Sequence, residues 1–152
     1  MILRLMEMLK KDEGFRPYPY DDITGMPIPM HGDILIKGYA TTGYGWNMDA
    51  LPISKEAAEF ILGEHVNQTL KEMGDQWPWW RDLPELAQIG LANMTFNMGL
   101  SRTRGFKKML LALQRGDFET AADEALDSQW ATQVGARAER IAELYRACAS
   151  NN

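Results

Sequence analysis

The sequence predicts an α+β fold in which a small β-containing lobe and a larger all-helical lobe are joined by one long helix. Three observations carry this. Residues 14–53 mix prolines and glycines with aromatic and β-branched residues, residues 54–74 run as one unbroken helical pattern, and from Asp82 onward apolar positions recur at helical spacing. With 152 residues, 45% of them apolar, the chain suits a single domain, 1–152, with one well-formed core.

The chain opens on a short amphipathic helix, residues 1–13, with Ile2, Leu5, Met6 and Leu9 at the i, i+3, i+4, i+7 spacing of one buried face. Gly14 is its natural stop. Pro17 and Pro19, set between aromatics, exclude helix over 15–22 and suit an extended edge segment. Residues 23–37 hold two apolar runs, Met26 to Met30 and Ile34 to Ile36, around the turn signal His31-Gly32-Asp33, which reads as an irregular hairpin. The run from Gly38 through Tyr39, Thr41, Gly43 and Gly45 to Trp46 is β-prone. Its glycines imply tight turns or close approach of another group.

Ser54 is a good N-cap for the connecting helix, which passes through Ile61, Leu62, His65, Val66 and Leu70 to about Met73. Trp77-Pro78-Trp79-Trp80 reads as a plug between packed helices, with a sugar-stacking platform as the competing reading. Leu83-Pro84-Glu85 starts a helix that is apolar nearly all round and stops at Gly99, the expected buried spine of the helical lobe. Asn93 within it reads as a satisfied core amide. Gly105-Phe106 opens a helix ending at Gly116, Asp117 caps the next, Gln129-Trp130 starts a short segment, and Ala136 to Ala149 form the last helix.

Composition excludes several functions. A formal net charge of −5 argues against general nucleic-acid binding. Yet no acid falls between Glu85 and Asp117, where Arg102, Arg104, Lys107, Lys108 and Arg115 lie, and Arg137, Arg140 and Arg146 follow near the end. Such a basic strip is either a solvated face or a surface for an anionic polymer. The single cysteine, Cys148, excludes an internal disulfide and offers no metal motif, so no cofactor is expected. No apolar run reaches membrane-spanning length, and residues 1–13 lack the features of an export signal, which points to a cytoplasmic protein without stable membrane insertion.

One stretch carries candidate chemistry. Glu13 falls in or just past the last turn of the first helix, where the dipole's partial negative charge disfavours an ionised carboxylate and suits a general acid. A solvated glutamate at a helix end is the plain alternative. Its surroundings are more specific. Glu13-Gly14 with an aspartate separated from Glu13 by eight residues is similar to the catalytic opening of the phage-type lysozymes, the endolysin muramidases of glycoside hydrolase family 24, and selects Asp22 over Asp21. Thr41-Thr42-Gly43-Tyr44-Gly45 resembles that family's threonine-x-glycine-x-glycine signature and selects Thr41. Asn93 through Gly99, Gly105-Phe106, Phe118 through Ala122, Trp130 and Arg137-Ala138-Glu139-Arg140 resemble further family segments, in the family's order, so the resemblance covers nearly the whole chain.

The resemblance implies a lysozyme-like fold with a cleft between the lobes and the first helix packed back on the helical lobe. It implies hydrolysis of the β-1,4 bond between N-acetylmuramic acid and N-acetylglucosamine in peptidoglycan. Glu13 would protonate the leaving oxygen, while Asp22 and Thr41 would hold and activate the attacking water. Inversion would then require carboxyls roughly 6.5–9.5 Å apart. Asn97, Tyr39 and Phe106 would contact the saccharide, and Arg137, supported by Arg140, would reach the glutamate. A monomeric phage lysis enzyme, waiting in the host cytoplasm and crossing through a separately encoded holin, is the implied setting. A lytic transglycosylase leaving 1,6-anhydro ends and a non-catalytic wall-binding module are the rival expectations. Two departures stand out. Eighteen residues, 23–40, separate Asp22 from Thr41 where the family commonly has a few, and Trp46 stands where histidine is frequent.

Overall fold

The computed structural model describes residues 2–28 and 36–150, which form two compact units, residues 1–58 and 59–152. The first unit starts with α1 (Ile2–Glu13), closed as expected by Gly14, whose φ of +67° is left-handed and whose N–H donates to the Lys10 carbonyl at 3.1 Å. The sheet of this unit does not cover the α1 stripe of Ile2, Leu5, Met6 and Leu9.

That sheet has three antiparallel strands in the order β1 (Arg16–Asp21), β2 (Ala40–Gly43), β3 (Trp46–Asn47). β1 pairs with β2 at Arg16 with Gly43, Tyr20 with Thr41 and Asp21 with Ala40, and the register breaks between Arg16 and Tyr20. The break spans Pro17 and Pro19, which have no N–H to give a ladder, so β1 is tolerated as an edge strand. After β1 the chain doubles back at once. Gly25 N–H donates to the Asp21 carbonyl at 2.8 Å, Asp21 N–H to that of Met26 at 3.0 Å, and Ile28 N–H to that of Pro19 at 2.9 Å. The start of the expected hairpin's first arm, Met26 to Ile28, is therefore seen beside β1, and Pro29 and Met30 lie outside the described residues. The hairpin's His31-Gly32-Asp33 turn and most of its second arm lie outside the described residues.

The connecting helix α2 (Lys55–Gln76) begins in the first unit and continues into the second, with the Ser54 hydroxyl accepting from Ala57 N–H at 3.1 Å as an N-cap. The second unit is helical: a 3₁₀ turn (Pro78–Asp82), α3 (Glu85–Met98), α4 (Leu100–Thr103), α5 (Lys107–Arg115), α6 (Phe118–Leu126), α7 (Gln129–Val134) and α8 (Ala136–Ala149). The capping signals hold. Gly99 ends α3 with φ +82°, Gly116 ends α5 with φ +75°, and Asp117 caps α6 through Thr120 N–H at 3.1 Å.

The core of this unit gathers Met73, Leu91, Met94, Met109, Leu113, Ile141 and Tyr145. Trp77 and Trp80 are 7% and 6% exposed within it, so the tryptophan cluster is a plug rather than an open platform. The helix expected as the buried spine, α3, buries one face only: Ala87, Gly90, Leu91, Met94 and Thr95. Gly90 is required there, because a Cβ at this position would meet Tyr145 Cε1 of α8 at 2.6 Å. The opposite face lines an open groove of about 420 Å³ with Leu62, Val66, Leu70, Ile89, Phe96 and Arg137. Asn93 sits on this second face and is exposed, correcting its reading as a core amide. An apolar helix does not announce which of its faces is covered.

Candidate active site

The end of α1 and the β2–β3 turn are built against each other. The Phe15 and Tyr44 rings pack tilted at 46° with centroids 5.3 Å apart, and the Glu13 side chain lies directly over Gly45. A Cβ at Gly45 would stand 2.8 Å from Glu13 Oε2, 3.1 Å from Cδ and 3.4 Å from Cγ. Gly45 also has φ +73°, so both its conformation and its missing side chain are needed. Gly43, with φ +65°, has open space around it and is needed for its conformation alone. The spaced glycines therefore have separate duties: one makes the turn, and the other seats the Glu13 carboxyl, which remains exposed.

Asp22 and Thr41 are held by the backbone of one residue, Tyr39. Tyr39 N–H donates to Asp22 Oδ1 at 2.7 Å, while the Tyr39 carbonyl accepts from Asp22 N–H at 3.2 Å and from the Thr41 hydroxyl at 3.2 Å. Asp22 is exposed and Thr41 is only 4% exposed. The hydroxyl proton of Thr41 is thus engaged, so toward a further partner the oxygen acts as an acceptor. The Tyr39 ring itself is exposed. Glu13, Asp22, Tyr39 and Thr41 all belong to the first unit.

The neighbouring Asp21 is the one buried carboxylate among the described residues of this unit, 5% exposed, and sequence reasoning passed over it. Burial alone would raise its pKa. Backbone N–H groups of Lys37, Thr24, Ile23 and Gly38 outweigh that and hold the carboxyl below the ordinary aspartate range.

In the second unit, Asn97 and Phe106 meet on one residue. Trp130 Nε1–H donates to Asn97 Oδ1 at 2.8 Å, and the Phe106 ring stands edge-on to the Trp130 ring at 6.2 Å. The partnership joins α3 to α7 across thirty-three positions of sequence. Trp130 is 7% exposed, and Ser128, the N-cap of α7, fixes its helix by accepting from Ala131 N–H at 3.0 Å. With its carbonyl oxygen engaged, Asn97 has its amide N–H₂ left to offer. Arg137 is half-buried in the first turn of α8, and Arg140 is exposed one turn on; both line a second opening beside Asn93. Among the described residues, no three His, Cys, Asp or Glu side chains converge as a metal site requires.

Residues 10–146 match the family model described as phage lysozyme. The chain belongs to the phage lysozyme family. Membership places it with the glycoside hydrolases and agrees with the α+β, lysozyme-like architecture of eight α-helices and a small antiparallel sheet among the described residues. Among relatives of the family, "Probable T4-type lysozyme 2" of Dictyostelium discoideum is 33% identical over 161 residues, covering 95% of each chain. The pre-baseplate central spike protein Gp5 of Enterobacteria phage T4 is 29% identical over 157 residues, which cover 91% of this chain. This chain spans about a quarter, 27%, of that spike protein's length. The matched segment of the phage lysozyme family contains every candidate residue named above, from Glu13 to Arg140.

Proposed function

We propose that this chain hydrolyses the β-1,4 bond between N-acetylmuramic acid and N-acetylglucosamine in bacterial peptidoglycan, by a single displacement with inversion. Glu13 is the general acid that gives its proton to the leaving oxygen. Asp22 and Thr41 hold the attacking water, and the observation that carries this assignment is the Tyr39 backbone between them. It engages Asp22 Oδ1 and the Thr41 hydroxyl proton, so Asp22 Oδ2 and the Thr41 oxygen are left as acceptors. A water that donates one proton to each presents its lone pair to the anomeric carbon, and Asp22 takes the proton as the new C–O bond forms. Asn97, oriented by Trp130, donates its amide N–H to a saccharide oxygen, with Phe106 and Tyr39 as apolar contacts and Arg137 and Arg140 as supporting cations.

The biological setting in this reading is phage-encoded lysis: a monomeric endolysin kept in the host cytoplasm and released to the wall through a holin. The T4 spike protein supports a second setting, in which the chain serves within a virion assembly that opens the wall. Detection of the chain in purified virions would favour the second, and its confinement to the lysate the first.

The chemical test is digestion of purified peptidoglycan followed by mass spectrometry. Reducing muramic ends are expected from wild type, and none from Glu13→Gln. Anhydro ends would identify a lytic transglycosylase instead. Undiminished clearing by Glu13→Gln would end the assignment.

A further inference from the structure

Two adjacent aspartates leave β1 with opposite fates. The Asp22 carboxylate faces outward, whereas that of Asp21 is spent on the backbone. Asp21 Oδ1 accepts from Ile23 N–H at 2.9 Å, Thr24 N–H at 3.2 Å and Gly38 N–H at 3.1 Å, and Oδ2 from Lys37 N–H at 2.7 Å. Two of these donors follow β1 directly, and two lie sixteen and seventeen residues on. One side chain therefore pins both ends of the segment that separates Asp22 from Thr41. The packing leaves no slack, since a Cβ on Gly38 would strike Asp22 Oδ1 and stand 2.8 Å from Ile23 Cγ1. The residue after Gly38 is Tyr39, whose backbone N–H and C=O hold Asp22 and Thr41.

We propose that Asp21 is a positioning residue for the hydrolysis: by pinning Lys37 and Gly38 it fixes the Tyr39 backbone, and through it the Asp22 carboxylate and the Thr41 hydroxyl. The proposal rests on Asp22 and Thr41 being the water-holding pair. Only an ionised carboxylate suits the place, because both of its oxygens are pure acceptors. An asparagine amide, whichever way it turns, sets its own N–H₂ against backbone N–H groups and leaves a donor without a partner. The error is passed along the chain to the water-holding pair, where small displacements are expensive in rate.

The test is Asp21→Asn in the full chain, assayed on soluble, uncross-linked peptidoglycan strands at a temperature where circular dichroism shows it folded. The expected result is a kcat lowered on the order of 10- to 100-fold with KM within about twofold of wild type. Faster hydrogen exchange at the Tyr39 amide is expected with it. Gly90→Ala, which strains the other unit's core against Tyr145, is the comparison; it lowers the melting temperature but keeps kcat. An Asp21→Asn enzyme with wild-type kcat once folded, or one whose loss merely matches that of Gly90→Ala, overturns the proposal. Should Asp21→Asn not fold, Asp21→Glu keeps the charge while displacing the acceptors, and full kcat in that variant overturns it equally. Asp22→Ala and Thr41→Ala are run beside these. Full activity in both defeats the water-holding assignment and this proposal with it, whereas inactivity in both beside a fully active Asp21→Asn defeats the positioning role alone.

Discussion

Alanine at Gly45 should cost activity out of proportion to stability, and alanine at Gly43 stability alone. Both glycines have positive φ, +73° and +65°, so an L-residue at either carries about 1–2 kcal/mol of left-handed strain. In a protein of this size that corresponds to a melting temperature lower by roughly 2–4 °C for each kcal/mol. The two sites differ in what a methyl group would meet. Nothing lies within 4 Å of a Cβ on Gly43, whereas one on Gly45 would stand 2.8 Å from Glu13 Oε2. Relief requires the carboxyl to retreat by roughly 0.5–1 Å to ordinary contact distance. The moving atoms are the free end of a flexible side chain, so stability changes little beyond the strain. A general acid displaced by about 1 Å can lose on the order of 100-fold in rate. Gly45→Ala and Gly43→Ala should therefore melt within about 0.5 kcal/mol of each other, while kcat in a peptidoglycan-clearing assay falls about 10- to 100-fold for Gly45→Ala only. Equal kcat for the two variants would refute the seating of Glu13 on Gly45.

Gly90→Ala replaces a poor helix former with the best one, a gain of about 1 kcal/mol in open helix, yet it should destabilise the protein by about 1–3 kcal/mol in urea unfolding because the methyl meets Tyr145. The lowered pKa of Asp21 makes a signed prediction: its stabilising contribution is complete above the ordinary aspartate value of 3.8 and is lost as pH falls through the lower folded value. Melting temperature plotted against pH should accordingly drop on the acid side more steeply for wild type than for Asp21→Asn. Burial pushes the Cys148 thiol up despite the Ala87 backbone contact, so the native protein should resist a thiol reagent at pH 8 and react at once in denaturant.

Helix boundaries were legible because their causes are local. Ser54, Gly99, Gly116 and Asp117 act on backbone groups within a turn of themselves, and each ended or began a helix where its chemistry said it would. The glycine-spaced signature was legible as a pattern, but the division of labour between Gly43 and Gly45 came only with the Glu13 side chain lying on one of them. What escaped the sequence depends on distant partners. Asp21 and Asp22 look alike until the amides of Lys37 and Gly38 select one of them, and the role of Trp130 rests on an amide thirty-three positions away. Asn93 was misjudged because α3 is apolar on more than one face, and only the packing of Tyr145 against Gly90 fixes which face turns inward.

The clasp at Asp21 also bears on how such a chain can vary. Once a single carboxylate gathers amides from both sides of the span between Thr24 and Lys37, that span is a closed ring, and ring length enters its free energy only logarithmically. Doubling it costs about 0.6 kcal/mol. Residues 25–28 pair with β1 and must be kept, but sequence added between Ile28 and Lys37 should leave the acid on α1 and the pair beside Tyr39 in place, which makes this span the natural point at which to retarget the protein.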